Sequence, residues 1–153
     1  FFLLLSLCAV RVNATPSGLP IPRFVSLRSS EVNLRVGPGY HFPTEWVYNR
    51  ATFPMEIIAE FGDWRKIKDL DGTEGWVHKS LLSGHRFVTI IQDKTPLRSA
   101  EEDTSTLVAH LQNGVLGKLL KCRETACYLE IQSGGNPKGW VSRSALWGVN
   151  AKD

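Results

Sequence analysis

Asp63-Trp64-Arg65-Lys66-Ile67-Lys68, followed by Gly75-Trp76-Val77-His78-Lys79-Ser80-Leu81-Leu82, is written twice in this chain. The looser copy is Tyr128-Leu129-Glu130-Ile131, then Gly139-Trp140-Val141-Ser142-Arg143-Ser144-Ala145-Leu146. Aligned on the glycines, Tyr128 stands where Trp64 stood. An aromatic strand, a polar turn, Gly-Trp-Val and a short Ser/Leu coda, repeated, predict two copies of one small β module.

The chain has 153 residues, so the repeat divides it into modules of about 60 residues, a size that buries only about 60% of its unfolded surface. Modules this small suit binding better than an enclosed reaction chamber. The net charge is +3, with basic and acidic residues interspersed. No run of like charge points to nucleic acid or a membrane surface as partner.

Residues 1–14 open with Phe1-Phe2-Leu3-Leu4-Leu5 and end on Val12-Asn13-Ala14. The apolar run is too short for a stable span and has the length of a signal-peptide core before small residues. We read 1–14 as the remnant of a signal peptide, with Thr15 as the mature N-terminus. Discarding Cys8 leaves Cys122 and Cys127, an even pair across a hairpin turn. A disulfide fits an exported chain, and closing so short a loop stabilises by about 2 kcal/mol. A metal site would need further ligands, and His110 alone shares that half. His41, His78, His85 and His110 show no metal-ligand spacing, so neither metal nor cofactor is expected.

Residues 15–22 form a proline-rich linker that favours extended backbone. Arg23-Phe24-Val25-Ser26-Leu27 opens the first module and Arg86-Phe87-Val88-Thr89-Ile90 the second. Val32-Asn33-Leu34-Arg35 alternates in the strand period and runs into Val36-Gly37-Pro38-Gly39, a turn signal. Further strands are predicted at Trp46-Val47-Tyr48, Met55 to Glu60, Trp64 to Lys68 and Glu74 to Val77, with hairpin turns at 61–63 and 69–73. Many short strands with Gly-rich turns make the class all-β, a small barrel per module. Trp64 and Ile67 differ in parity, so one faces the core and the other faces out.

Asn33-Leu34-Arg35-Val36-Gly37-Pro38-Gly39, Gly62-Asp63-Trp64 and Asp71-Gly72-Thr73-Glu74-Gly75-Trp76-Val77 together resemble a bacterial SH3 domain. The likeness covers residues 23–83, and residues 86–148 resemble a diverged copy, so two tandem SH3-like barrels follow the leader. The resemblance implies a five-stranded, exported, non-catalytic module that binds cell-wall peptide or peptidoglycan, in the periplasm or secreted. A protein-interaction module binding a proline-rich or other peptide is the alternative.

By the same resemblance the groove lies between the loop after Leu34-Arg35 and the hairpin before Trp64. Tyr40, Phe42, Trp64, His78 and Leu81 then form the candidate ligand surface, apolar area with polar edges. Trp76 and Trp140 read better as packing residues. The second copy has Ser142 for His78 and Ala145 for Leu81, which leaves its groove weaker and gives recognition to the first. A thiol enzyme built on Cys122 or Cys127 fits poorly, because a catalytic thiolate needs a histidine beside it in a cleft. Docking of Leu19-Pro20-Ile21-Pro22-Arg23 into the chain's own groove is a further, weaker reading.

Overall fold

The computed structural model describes residues 15–153, and the leader expected at 1–14 lies outside the described residues. The first module comprises β1 (Arg23–Leu27), β2 (Val32–Arg35), β3 (Thr44–Tyr48), β4 (Pro54–Phe61), β5 (Trp64–Lys68), β6 (Glu74–His78), a 3-10 turn (Lys79–Leu81) and β7 (Leu82–Ser83). The second follows with β8 (Phe87–Ile90), β9 (Thr95–Arg98), β10 (Leu107–Leu111), β11 (Leu116–Cys122), β12 (Ala126–Ile131) and β13 (Lys138–Ser142). A second 3-10 turn (Arg143–Ala145) and β14 (Leu146–Trp147) end it.

Each module is one antiparallel sheet curled on itself, in the orders β3-β2-β6-β5-β4-β1-β7 and β10-β9-β13-β12-β11-β8-β14. The two orders are identical copy for copy. Strands β2 to β6 supply the five that the resemblance implies, and β1 with the two-residue β7 extends that sheet to seven. Equivalent bulges bend the longest strands, between Ile57 and Ala59 in β4 and between Leu119 and Lys121 in β11. An extra residue there increases the local twist and lets one strand serve both faces of a small barrel.

Alternation along the strands fills each barrel. Leu34, Met55, Ile57, Ile67 and Val77 meet in the first core, and Val88, Ile90, Leu97, Leu129 and Val141 in the second. In β5, Arg65 and Ile67 point inward while Trp64 and Lys66 remain partly exposed, as parity demands. Gly75 and Val77 likewise point inward, which leaves Trp76 on the outer face of β6. The Gly-Trp-Val signature thus divides its labour. A Cβ on Gly75 would sit 2.5 Å from Leu34 Cγ, and one on Gly139 2.6 Å from the Arg98 carbonyl oxygen. The glycine permits close crossing of two strands and the valine fills the core, whereas the tryptophan, expected as packing, lies half-buried outside.

The strand register corrects one alignment. Trp64 pairs with His78 in the first barrel, and Ala126 pairs with Ser142 in the second. Tyr128 pairs with Trp140, as Lys66 pairs with Trp76. Ala126 therefore replaces Trp64, and Tyr128 takes the position of Lys66. The loop from Ile131 to Pro137 is two residues longer than that from Asp69 to Thr73, so counting back from the glycines stops two residues short.

The barrels touch directly. Phe24 of β1 meets Trp147 edge-on at 5.2 Å between ring centroids, and the Arg86 guanidinium lies 5.7 Å from the Phe24 ring centre. Arg86 also holds the Asp153 carboxylate at 2.7 Å, and Ser26 Oγ donates to the His85 carbonyl at 2.7 Å. The expected linker is tied down too: the Ser17 amide and hydroxyl donate to the Glu60 carboxylate at 2.9 and 2.7 Å.

Candidate ligand-binding site

Arg35 ends β2 and organises the loop that follows. Its Nη1 donates to the carbonyls of Phe42 at 2.8 Å and Tyr40 at 3.3 Å, closing residues 36–43 onto the strand. The Phe42 ring fills the space beneath Gly37, where a Cβ would come within 2.6 Å of it. With its base fixed, the loop carries the Tyr40 side chain out over the sheet, where the residue is 68% exposed.

Tyr40 lands on the two side chains that β5 and β6 bring side by side. Its ring lies edge-on to Trp64 at 4.9 Å and nearly parallel to His78 at 5.7 Å. Trp64 and His78 are 5.4 Å apart and almost perpendicular. Three rings from the loop, β5 and β6 thus form one surface patch. The Ser80 amide donates to His78 Nδ1 at 3.3 Å and the Ser80 hydroxyl lies 2.7 Å from it. In the neutral imidazole, accepting that bond at Nδ1 leaves the N–H on Nε2.

The family model for the bacterial SH3 domain matches residues 28–84. The first barrel belongs to that family. No curated protein matches the chain. Two solved structures from Trichomonas vaginalis are similar at low identity. The structure of NlpC1 shares 13% identity over 94% of this chain, with a TM-score of 0.38. The structure of NlpC2 shares 9% over 82%, with a TM-score of 0.36. The chain spans 50% and 48% of those two structures, respectively.

Within this bacterial SH3 domain the five predicted surface residues divide. Tyr40, Trp64 and His78 converge. Phe42 lies under the loop, against His41 at 4.3 Å, and supports the patch from below. Leu81 packs on the core, and its carbonyl accepts from the Arg28 amide at 2.8 Å. Arg35 was missed as a functional residue, although its place directly before Gly-Pro-Gly was a usable signal. The second copy repeats it: Arg98 Nη1 donates to the Ser105 carbonyl at 2.9 Å.

Electrostatics beside the patch are local. Lys79 holds the Asp63 carboxylate at 2.7 Å and keeps it below its ordinary pKa. That pair is exposed, and water screens most of its worth. Glu60, one strand away, has no exposed side-chain area and faces Arg23 at 2.7 Å and Arg65 at 3.4 Å. Burial pushes its pKa up, but the Ser17 bonds and Arg23 outweigh this and hold it below the usual value. On the opposite side, Tyr48 donates to Asp69 at 2.8 Å, and burial with that bond raises the phenol pKa.

Cys122 and Cys127 form a disulfide with an S–S distance of 2.05 Å. Such a bond is consistent with an extracytoplasmic compartment. Among the described residues no helix is long and apolar enough to cross a membrane.

Proposed function

We propose that this protein is a non-catalytic binding protein of the cell envelope, periplasmic or secreted, that recognises cell-wall peptide or peptidoglycan. The observation that carries this reading is the joined surface of Tyr40, Trp64 and His78. Fixed rings offer apolar area at little entropic cost, and their polar edges can bond a sugar hydroxyl or a peptide group. The loop that presents Tyr40 has no acidic residue from Val36 to Pro43. That favours a neutral or mixed ligand over the basic, proline-rich segments that acid-lined grooves select.

Co-sedimentation of the protein with purified peptidoglycan, beside Trp64→Ala and Arg35→Ala, tests the proposal. Binding by the parent, lost in both variants while thermal unfolding still shows a folded chain, is the expected result. Absence of the parent from the pellet would overturn it in favour of a soluble peptide partner.

A further inference from the structure

We propose that the cleft between the two barrels binds a chain of phosphodiesters linked by small polyols. Two cavities open along this seam and share Thr52 on their walls. The first, of about 520 Å³, lies between residues 50–52 of the first barrel and Asn113, Gly114, Gln132 and Ser133 of the second. The other, of about 280 Å³, lies between Arg28 and Ser83 on one side and His85 and Lys118 on the other.

Charge decides what this cleft can hold. Arg28, Arg50 and Lys118 are exposed on its walls, and none forms an ion pair among the described residues. No carboxylate lines either cavity. Two acids bond to groups beside the cleft. Asp93 accepts from the Asn113 amide at 3.0 Å. Glu130 pairs with Lys118 across the ladder but is held by Lys138 at 3.2 Å, which leaves two lysines with one acid between them. Arg50 Nη1 donates to the Gly114 carbonyl at 3.1 Å and so ties the barrels together, with further donors left on its fork. A cleft walled by one sign of charge concentrates the opposite ion. The three cations are scattered along the chain, so no run of like charge announces them, and the meeting of the barrels gathers them.

The spread of the charges favours one kind of anion. The larger cavity has one cation and the smaller has two, with Ser83, Asn113, Gln132 and Ser133 adding uncharged polar groups. A phosphodiester chain carries one charge per link, which charge-assisted bonds can take singly, and polyol hydroxyls suit the polar groups between. Single-stranded nucleic acid needs ring faces for its bases. Besides His85, the aromatic residue on these walls is Phe87, which is buried. Tyr40, Trp64 and His78 line neither cavity, so the site does not rest on the reading of that patch.

Calorimetric titration of the full chain with a synthetic glycerol phosphate hexamer, beside glycerol and hexathymidylate, tests the site. The hexamer is expected to bind saturably, to weaken as salt is raised and to shift the amides of Thr52, Gly114 and Ser133 in NMR spectra. Glycerol is expected to give no binding and hexathymidylate weaker binding. Arg50→Gln should weaken the hexamer about twofold to fivefold, and the triple variant with Arg28→Gln and Lys118→Gln about tenfold or more. Arg50→Lys, which keeps the charge, should bind like the parent. So should Lys121→Gln, which removes a cation lying over Tyr128 and Trp140 outside the cleft. Thermal unfolding checks that each variant is folded. No saturable binding, hexathymidylate bound as tightly as the hexamer, or an equal loss in Lys121→Gln would each overturn the proposal.

Discussion

Glu60 and Arg65 face each other as direct partners across β4 and β5, where the second barrel joins Cys122 to Cys127. One repeat closes this hairpin with a buried ion pair and the other with a covalent bond. The exchange is coherent physically. In the first barrel Ser17 and Arg23 also reach Glu60, so its remaining lone pairs are occupied. A buried charge without such partners would destabilise the fold, and a disulfide needs none.

Removing the carboxylate therefore leaves two guanidinium groups without their anion, although Arg65 keeps the Gly62 and Trp64 carbonyls and Arg23 the Pro20 carbonyl. Glu60→Ala is expected to cost about 2 kcal/mol, below the range for fully buried pairs because Arg23 keeps some contact with water. The pH dependence follows from the depressed pKa of Glu60. Its contribution is complete above the unfolded-state pKa and is lost as pH falls through the lower folded-state value. Urea unfolding across the acid range should show this loss in the parent and a flatter profile in the variant.

Reduction of Cys122–Cys127 should lower stability by about 2 kcal/mol, the chain-entropy value for so short a loop. The fold should survive, because Leu129, Ile131 and Val141 are buried independently of the bond. Near-ultraviolet circular dichroism with and without reductant measures both effects.

Two glycines separate backbone crowding from side-chain crowding. The nearest atoms to a Cβ in Gly75→Ala are those of the Leu34 side chain, whereas Gly139→Ala meets the Arg98 carbonyl at 2.6 Å. Overpacking costs about 1–3 kcal/mol. Gly139→Ala should fall at the upper end, since a paired strand cannot shift as a leucine rotamer can. Thermal unfolding of both variants gives the order.

Thr52 adopts φ +65°, and its counterpart Gly114 adopts φ +87°. Both amides donate inward at 2.8 Å, Thr52 to Leu27 and Gly114 to Ile90. A β-branched residue is strained in this region. Thr52→Gly is accordingly expected to be neutral or to stabilise by up to about 1 kcal/mol, after the entropy of the added glycine is subtracted. A fall of the unfolding midpoint would refute the strain.

Trp64→Ala should abolish peptidoglycan binding, while Tyr128→Ala leaves it intact. Trp64 stands in the ring cluster with Tyr40, whereas Tyr128 pairs with Trp140 under Lys121 on the outer face of the other barrel. Pull-down of the two variants side by side decides between the barrels.

Most of the strands could be read directly, because a period of two and glycine-rich turns are local signals. The repeat was equally plain from Gly75-Trp76-Val77 and Gly139-Trp140-Val141. Its inner alignment was not, since an extension of two residues between Ile131 and Pro137 moves every earlier position relative to the glycines. Arg35 was overlooked for a related reason: its bonds run to carbonyls, which carry no side-chain signature.

By itself the sequence determined the all-β class, the two modules, the cysteine pair and the aromatic residues worth testing. Only the tertiary structure decided which of them meet. Tyr40, Trp64 and His78 come from a loop and two strands, and their contact depends on strand register and on how Arg35 folds the loop. The same register sets Ala126 and Ser142 opposite each other in the second barrel. Register is a long-range pairing property, so it is settled by the barrel as a whole and not by any one stretch of chain.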